Sequence, residues 1–269
     1  MNLTERKMLE LLKRGKEFYG FTAIKAEFEA EGTRSDELLR LLEITHRADL
    51  DVALKIGGCE ALTDLRQARN YGANHIIAPM VETPYALSKF VEAKDKAYGA
   101  NEQQTKFLFN LETTVTLGNL DAMVPIAKAG GINGIVFGRV DFTLSTGRAR
   151  TEINDPKITE CVLKVADACL ANDLELVVGG SVSSDAVDAL RSFYDVRLDR
   201  FETRKVVFSG SAAAASWIDD GIAVAVEFEL CWLRNKRDYY GAIADEDTAR
   251  IVMMEKRLAP PPQVMSQVA

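Results

Sequence analysis

The sequence predicts an α/β fold, a (β/α)8 TIM-like barrel with a C-terminal helical extension. From Gly20 onward, strand-like and helix-like segments alternate with no interior linker, the pattern of repeated βαβ units. The strand-like segments are short and continuously apolar, as in a parallel sheet covered by helices. A length of 269 residues is typical of one such barrel. A doubly wound open sheet is the competing arrangement, but no glycine-rich nucleotide-binding fingerprint follows any strand.

Residues 1–15 form an amphipathic, charged helix without the apolar core of a signal peptide. Strands are expected at 21–27, 51–56, 75–81, 107–112, 134–141, 174–178 and 196–201. Helices are expected between them at 35–45, 62–71, 84–98, 120–129, 156–172 and 184–193. Ser35-Asp-Glu and Ser183-Ser-Asp are helix caps, because a short oxygen-bearing side chain accepts from the unpaired amides of a first turn. Gly72, Gly130 and Gly221 close or follow helices, as a left-handed C-terminal residue does. The eighth strand is missing or atypical, and residues 205–208 are the candidate for it. Past Ser209 the pattern is helical to about residue 258, so residues 1–258 read as one catalytic domain that includes C-terminal helices from about 209. Residues 259–269, which begin Ala259-Pro-Pro-Pro-Gln, read as a flexible tail. The mixed apolar and aromatic run Trp217, Ile222, Val224, Val226, Phe228 and Trp232 predicts that the extension packs on a neighbouring subunit.

A hydrophobic content of 47% with 27% charged residues supplies a large core for a globular protein. The net charge of −7, with no basic stripe interleaved with aromatics, argues against nucleic acid or an anionic membrane as the main partner. No apolar run reaches membrane-spanning length; residues 209–230 come nearest and are broken by Asp219, Asp220, Glu227 and Glu229. Cys59, Cys161, Cys169 and Cys231 show no CxxC and no metal-type clustering. Reduced thiols in a cytoplasmic protein are the expectation.

Two strands carry the chemistry. Lys106-Phe-Leu-Phe-Asn-Leu-Glu-Thr113 and Gly134-Ile-Val-Phe-Gly-Arg-Val-Asp-Phe-Thr143 are apolar runs that break into carboxylates, Glu112 and Asp141. A helix ending at Gly130-Gly131 joins them, so the strands lie parallel and both carboxylates emerge at one edge. In parallel α/β folds that edge holds the active site. Paired carboxylates there suit a hard divalent cation, Mg²⁺ or Mn²⁺. Taken singly, each carboxylate serves equally well as the cap of the helix that follows.

The succession Val52-Ala-Leu-Lys-Ile-Gly-Gly58, Ile76-Ile-Ala-Pro-Met-Val-Glu82, Asn110-Leu-Glu-Thr113 and Val136-Phe-Gly-Arg-Val-Asp-Phe-Thr143 resembles the HpcH/HpaI aldolase and citrate lyase β-subunit superfamily. The resemblance is close over residues 51–147 and looser in the flanks. It implies a TIM-like barrel, a divalent metal and an oxo acid or acyl-CoA substrate that passes through an enolate. By the same resemblance Glu112 and Asp141 are the metal ligands, and Asn110 matches the polar amide before the glutamate. Lys55 stands where the family carries a basic residue that holds the keto oxygen; its alternative is a lysine snorkelling at a strand end. The backbone amides near Val140 and Asp141 are placed for the substrate carboxylate, with Arg139 beside them. The family also implies a homo-oligomer, a trimer or hexamer.

The first strand departs from the family pattern. Aldolases of this kind carry a Glu-His pair after an early strand, whereas here Lys25-Ala-Glu-Phe-Glu-Ala-Glu-Gly-Thr-Arg34 puts Gly32 at the histidine place. The chain's two histidines, His46 ending a helix and His75 starting a strand, belong to the opposite face. Proton transfer then falls to Glu31, to a water held by the metal, or to a lysine of perturbed pKa. The run Glu27, Glu29, Glu31 reads alternatively as a solvated acidic loop. Lys25, inside an apolar strand, is a candidate for substrate binding or Schiff-base chemistry, with a salt bridge to a nearby glutamate as the alternative. Arg200, Glu202 and Arg204 share a face if extended, suiting a second substrate carboxylate or phosphate, or else a structural ion-pair network. Gly180, in Gly179-Gly180-Ser181, lets a substrate approach the backbone.

These readings combine into a metal-dependent carbon–carbon lyase or aldolase. It would cleave a hydroxy-oxo acid to pyruvate and an aldehyde. Glu112 and Asp141 would hold Mg²⁺ or Mn²⁺, Lys55 and Asn110 would polarise or position the oxo acid, and Glu31 or a metal-bound water would move the proton. The alternatives are a citrate lyase-like acyl-CoA lyase and a non-catalytic barrel serving as a binding or assembly subunit.

Overall fold

The computed structural model describes residues 1–99 and 104–258, so the expected tail at 259–269 lies outside the described residues. Helix α1 (Leu3–Phe18) leads into β1 (Phe21–Glu27), α2 (Ser35–Arg47), β2 (Asp51–Lys55), α3 (Leu62–Asn70), β3 (His75–Ala78) and α4 (Pro84–Tyr98). Then come β4 (Lys106–Leu111), α5 (Thr114–Gly118), α6 (Leu120–Ala129), β5 (Gly134–Gly138), α7 (Arg139–Ser145), α8 (Pro156–Asn172), β6 (Glu175–Gly179) and α9 (Val187–Tyr194). The chain ends with β7 (Arg200–Glu202), β8 (Val206–Ser209) and α10 (Ile218–Leu258). The eight strands close into one barrel in chain order.

The eighth strand is the segment anticipated at 205–208, but it runs antiparallel to both of its neighbours, β7 and β1. No helix separates it from β7. Instead Thr203 closes a tight hairpin: its amide donates to Val206 O at 2.9 Å, and its Oγ1 accepts from Val206 N at 3.1 Å. The chain therefore leaves the barrel at the N-terminal face, where Ser209 N donates to Gly20 O, and α10 returns along the outside. Gly221, expected to end a helix, instead lies in the first turn of α10. A Cβ there would come within 3.2 Å of the Tyr19 Cβ, so its small size lets α10 sit against that residue.

Strand side chains alternate between the barrel interior and the surrounding helices. Inward-facing Ala23, Ala53, Ile77, Leu108, Val136, Val177 and Val207 form a separate apolar layer across the barrel. Outward-facing residues join the larger core under the helices. Below the inner layer, towards the strand N-termini, Glu175 pairs with Lys106 and, at 2.7 Å, with Arg200. His75 is buried beside them, and its pKa is pushed down to about 4 by burial first and by the Arg200 charge second. Two residues further along the parallel strands, the alternation brings Lys25, Lys55, Asn110, Gly138 and Gly179 to the opposite end. That end opens into the site.

Candidate active site

The upper end of the barrel opens into a cavity of about 660 Å³. Its floor is built from strand ends and its wall includes Val226 and Glu229, one turn of α10. Glu112 is buried, and its two oxygens are separately engaged. Met80 N donates to Oε1 at 3.0 Å, and Asn110 Nδ2 donates to Oε2 at 2.6 Å. Met80 presents that amide from a left-handed backbone conformation, φ +49°. Gly138 leaves room for the carboxylate, since a Cβ there would stand 3.0 Å from Glu112 Oε2.

Asp141 lines the same cavity. The strand expected at 134–141 stops at Gly138, and Asp141 sits in the first turn of α7. Its exposed carboxylate has no hydrogen-bond or ion-pair partner among the described residues. Asn110 gives its amide protons to Glu112, so its Oδ1 is left buried without a donor. An orphaned carbonyl oxygen beside a carboxylate, with a second carboxylate in the cavity, is a donor set that fits a hard cation keeping several positions for water and substrate. Among the described residues no group of three or more His, Cys, Asp or Glu side chains is placed to hold a metal ion, so any cation here would rest on two carboxylates and the amide oxygen.

Lys55 Nζ stands 2.9 Å from Glu29 Oε2 and 3.6 Å from Glu112 Oε2. Burial opposes its charge, but Glu112 and Glu29 outweigh burial and hold its pKa above the ordinary lysine value. Lys25 lies 2.5 Å from Glu202 and 3.2 Å from Glu27. Burial again opposes the charge and the two carboxylates overcome it, so Lys25 is held as an ammonium. This is the salt-bridge alternative. An ammonium so held is a poor Schiff-base nucleophile.

Val140 and Gly180 line the cavity as expected, but three other candidates stand elsewhere. Arg200 is at the opposite end of the barrel with Glu175, and the cavity is reached from Glu202 onward, by Glu202, Thr203 and Arg204. Arg139 is 1% exposed and faces away. Its guanidinium donates to Gly180 O and Asn154 Oδ1, each at 3.0 Å, so it braces the β6 exit loop rather than a substrate. Glu31 is outside the cavity lining, tied to Lys205 and, at 3.2 Å, to Arg204. Glu202, anticipated on the charged face of the last strands, also lines the cavity, together with Met80, Ser181, Arg150 and Glu229, none of which the sequence marks as a site residue. Glu202 had a sequence signal in its strand alternation; Glu229 had none, because only the path of α10 brings it here.

A model of the HpcH/HpaI aldolase/citrate lyase family matches residues 39–193. That stretch contains Lys55, Asn110, Glu112 and Asp141 and leaves out Lys25, Glu31, Glu202 and Glu229. No curated protein matches the chain. Among solved structures, an HpcH/HpaI aldolase from Desulfitobacterium hafniense DCB-2 is 13% identical, with TM-score 0.57 over 81% of this chain and 88% of the other. A HpcH/HpaI aldolase/citrate lyase family protein from Burkholderia cenocepacia J2315 is 12% identical, with TM-score 0.60 over 91% of this chain and 92% of the other. At these identities the likeness is one of fold.

Proposed function

This chain belongs to the HpcH/HpaI aldolase/citrate lyase family, and from that premise we propose that it is a divalent-metal-dependent lyase that cleaves a hydroxy-oxo acid to pyruvate and an aldehyde. The observation that carries the reading is the Asn110–Glu112 pair: a buried carboxylate fixed by two donors, with an unpartnered amide oxygen beside it, in a cavity shared with Asp141. Charge balance supports the metal. Six carboxylates and four cationic side chains line the cavity, an excess of negative charge that opposes an anionic substrate unless a cation accompanies it.

Glu112, Asp141 and Asn110 Oδ1 would hold Mg²⁺ or Mn²⁺, which when bound supplies Lewis-acid stabilisation of charge developing on the oxo acid. The chain's own groups do the rest. The Lys55 ammonium faces the 2-oxo oxygen, where negative charge accumulates as the carbon–carbon bond breaks. Backbone amides at Val140 and Asp141 take the substrate carboxylate, and Arg139 orients them through the Gly180 loop. Lys25 and Glu202 close the floor as an ion pair that Glu27 joins.

The same reading includes a homo-oligomer. Beyond Trp232, α10 has no buried residue among those described, and it exposes Leu233, Tyr239, Ile243, Ile251 and Met254. A monomeric mass in solution would count against it. No helix among the described residues is long and apolar enough to cross a membrane.

The test of the lyase reading is proton NMR of pyruvate in D₂O with the purified protein and Mg²⁺ or Mn²⁺, with and without EDTA. Loss of the methyl signal through exchange that EDTA abolishes is the expected result. Exchange insensitive to EDTA would turn attention back to a lysine, and no exchange would remove the pyruvate reading.

A further inference from the structure

A lyase of this kind needs a group that takes a proton from the substrate hydroxyl and returns one to carbon, and neither histidine is placed for it. His75 lies at the far end of the barrel and His46 near the end of α2. The cavity's carboxylates are mostly committed. Glu27 and Glu202 pair with Lys25, and Glu29 and Glu112 with Lys55. Among the described residues, two cavity carboxylates have no hydrogen-bond or ion-pair partner: Asp141, already placed at the metal, and Glu229.

We propose that Glu229 is the general acid–base of the cleavage reaction, which rests on the lyase reading above. Its carboxylate takes the proton of the C4 hydroxyl as the C3–C4 bond breaks, and the C4–O bond becomes the carbonyl of the departing aldehyde. The electron pair of the broken bond passes into the oxo-acid fragment as its enolate. The Glu229 carboxylic acid then returns the proton to C3, giving pyruvate and restoring the carboxylate. With pyruvate alone the last step runs backwards: Glu229 removes a methyl proton, exchanges it with solvent and returns a deuteron.

The surroundings suit the role. Glu229 shares a face of α10 with Val226, which also lines the cavity. The helix is anchored within and just after this turn, by Glu227 with Lys7 at 2.6 Å and by buried Phe228, Cys231 and Trp232. The charges that act on Glu229 are those of Arg204 and Lys205 from the β7–β8 hairpin, Glu31 from the loop after β1, and Lys25 on β1. Arg204, Lys205 and Lys25 each have a nearer carboxylate. Asp185, on the short turn packed beside α10, is engaged by Ser183 and Asn154. Burial raises the Glu229 pKa more than Arg204 and Lys205 lower it, and Glu31 adds to the rise. A carboxyl raised towards neutrality is the better proton shuttle.

The test measures Mg²⁺-dependent methyl-proton exchange of pyruvate against pH for the wild type, Glu229→Gln and Glu229→Asp. Manganese binding, read by water-proton relaxation, and the melting temperature serve as controls. In Glu229→Gln, exchange falls about 100-fold or more and the limb that rises with pH disappears, while manganese affinity and melting temperature stay near wild type. Glu229→Asp keeps the limb at a reduced rate. A Glu229→Gln protein that exchanges within about twofold of wild type, or keeps the limb, overturns the assignment and leaves the lyase reading standing. A wild-type protein with no exchange overturns both.

Discussion

Asn110 donates to Glu112 across 2.6 Å, and in doing so leaves its own Oδ1 buried with no donor. The two residues are two apart at the end of β4, so strand geometry alone brings them to one face. The hydrogen bond settles which amide atom points where. An acceptor without a donor in a buried site is costly to leave unmet, and here it stands beside a carboxylate, where a bound cation would satisfy both.

Glu112→Gln keeps the volume of the side chain and an acceptor for Met80 N, and removes the charge that a divalent ion needs. The expected outcome is a folded protein with EDTA-sensitive pyruvate exchange reduced about 1,000-fold or more. Manganese titration should show correspondingly weak binding. Full activity would remove the central metal assignment.

Breaking the Lys25–Glu202 pair leaves an uncompensated charge inside the barrel. Lys25→Met should destabilise the fold by about 3–5 kcal/mol, because both Glu202 and Glu27 lose their cation. The double variant Lys25→Met/Glu202→Gln should recover part of that loss. Urea melts of the singles and the double give the coupling; strict additivity would count against a direct pair.

Arg139→Met tests whether this arginine braces the Gly180 loop. Loss of its hydrogen bonds to Gly180 O and Asn154 should cost on the order of 3 kcal/mol in urea melts. The KM for the oxo acid should rise more than kcat falls, since the loop borders the Val140 amide. Unchanged stability with abolished turnover would place Arg139 at the substrate after all.

His75 gives the fold a pH dependence remote from the cavity. Its pKa is depressed from 6.5 to about 4 in the folded protein, so the unfolded chain binds the proton more readily. The stability from keeping it neutral is present above about pH 6.5 and is lost progressively as pH falls towards 4. Melting temperatures measured from pH 7.5 to 4.5 should therefore fall in the wild type and fall less in His75→Gln. Parallel profiles would refute this origin.

Much of the site was legible because its signals are local. Continuous apolar strands and their helices predict a barrel, and a period of two brings Lys25, Lys55, Asn110 and Glu112 to inward positions once the strands are recognised. Asp141 was found one element out of place, on α7 rather than at a strand end. Distance along the chain and residue type were enough for these.

Arg200, Arg139, Glu31 and Glu229 were not legible in the same way. Whether Arg200 meets the cavity or the far end depends on where β7 begins relative to the apolar layer. Arg139 and Glu31 depend on partners 41 and 174 residues away. The antiparallel β8 sends the chain out at the opposite face, and that reversal allows α10 to return past the cavity with Glu229. Local pattern determined which residues form strands and which of their faces turn inward. Closure of the barrel, a set of long-range pairings with no local signature, decided which charges meet and which carboxylates keep no partner among the described residues.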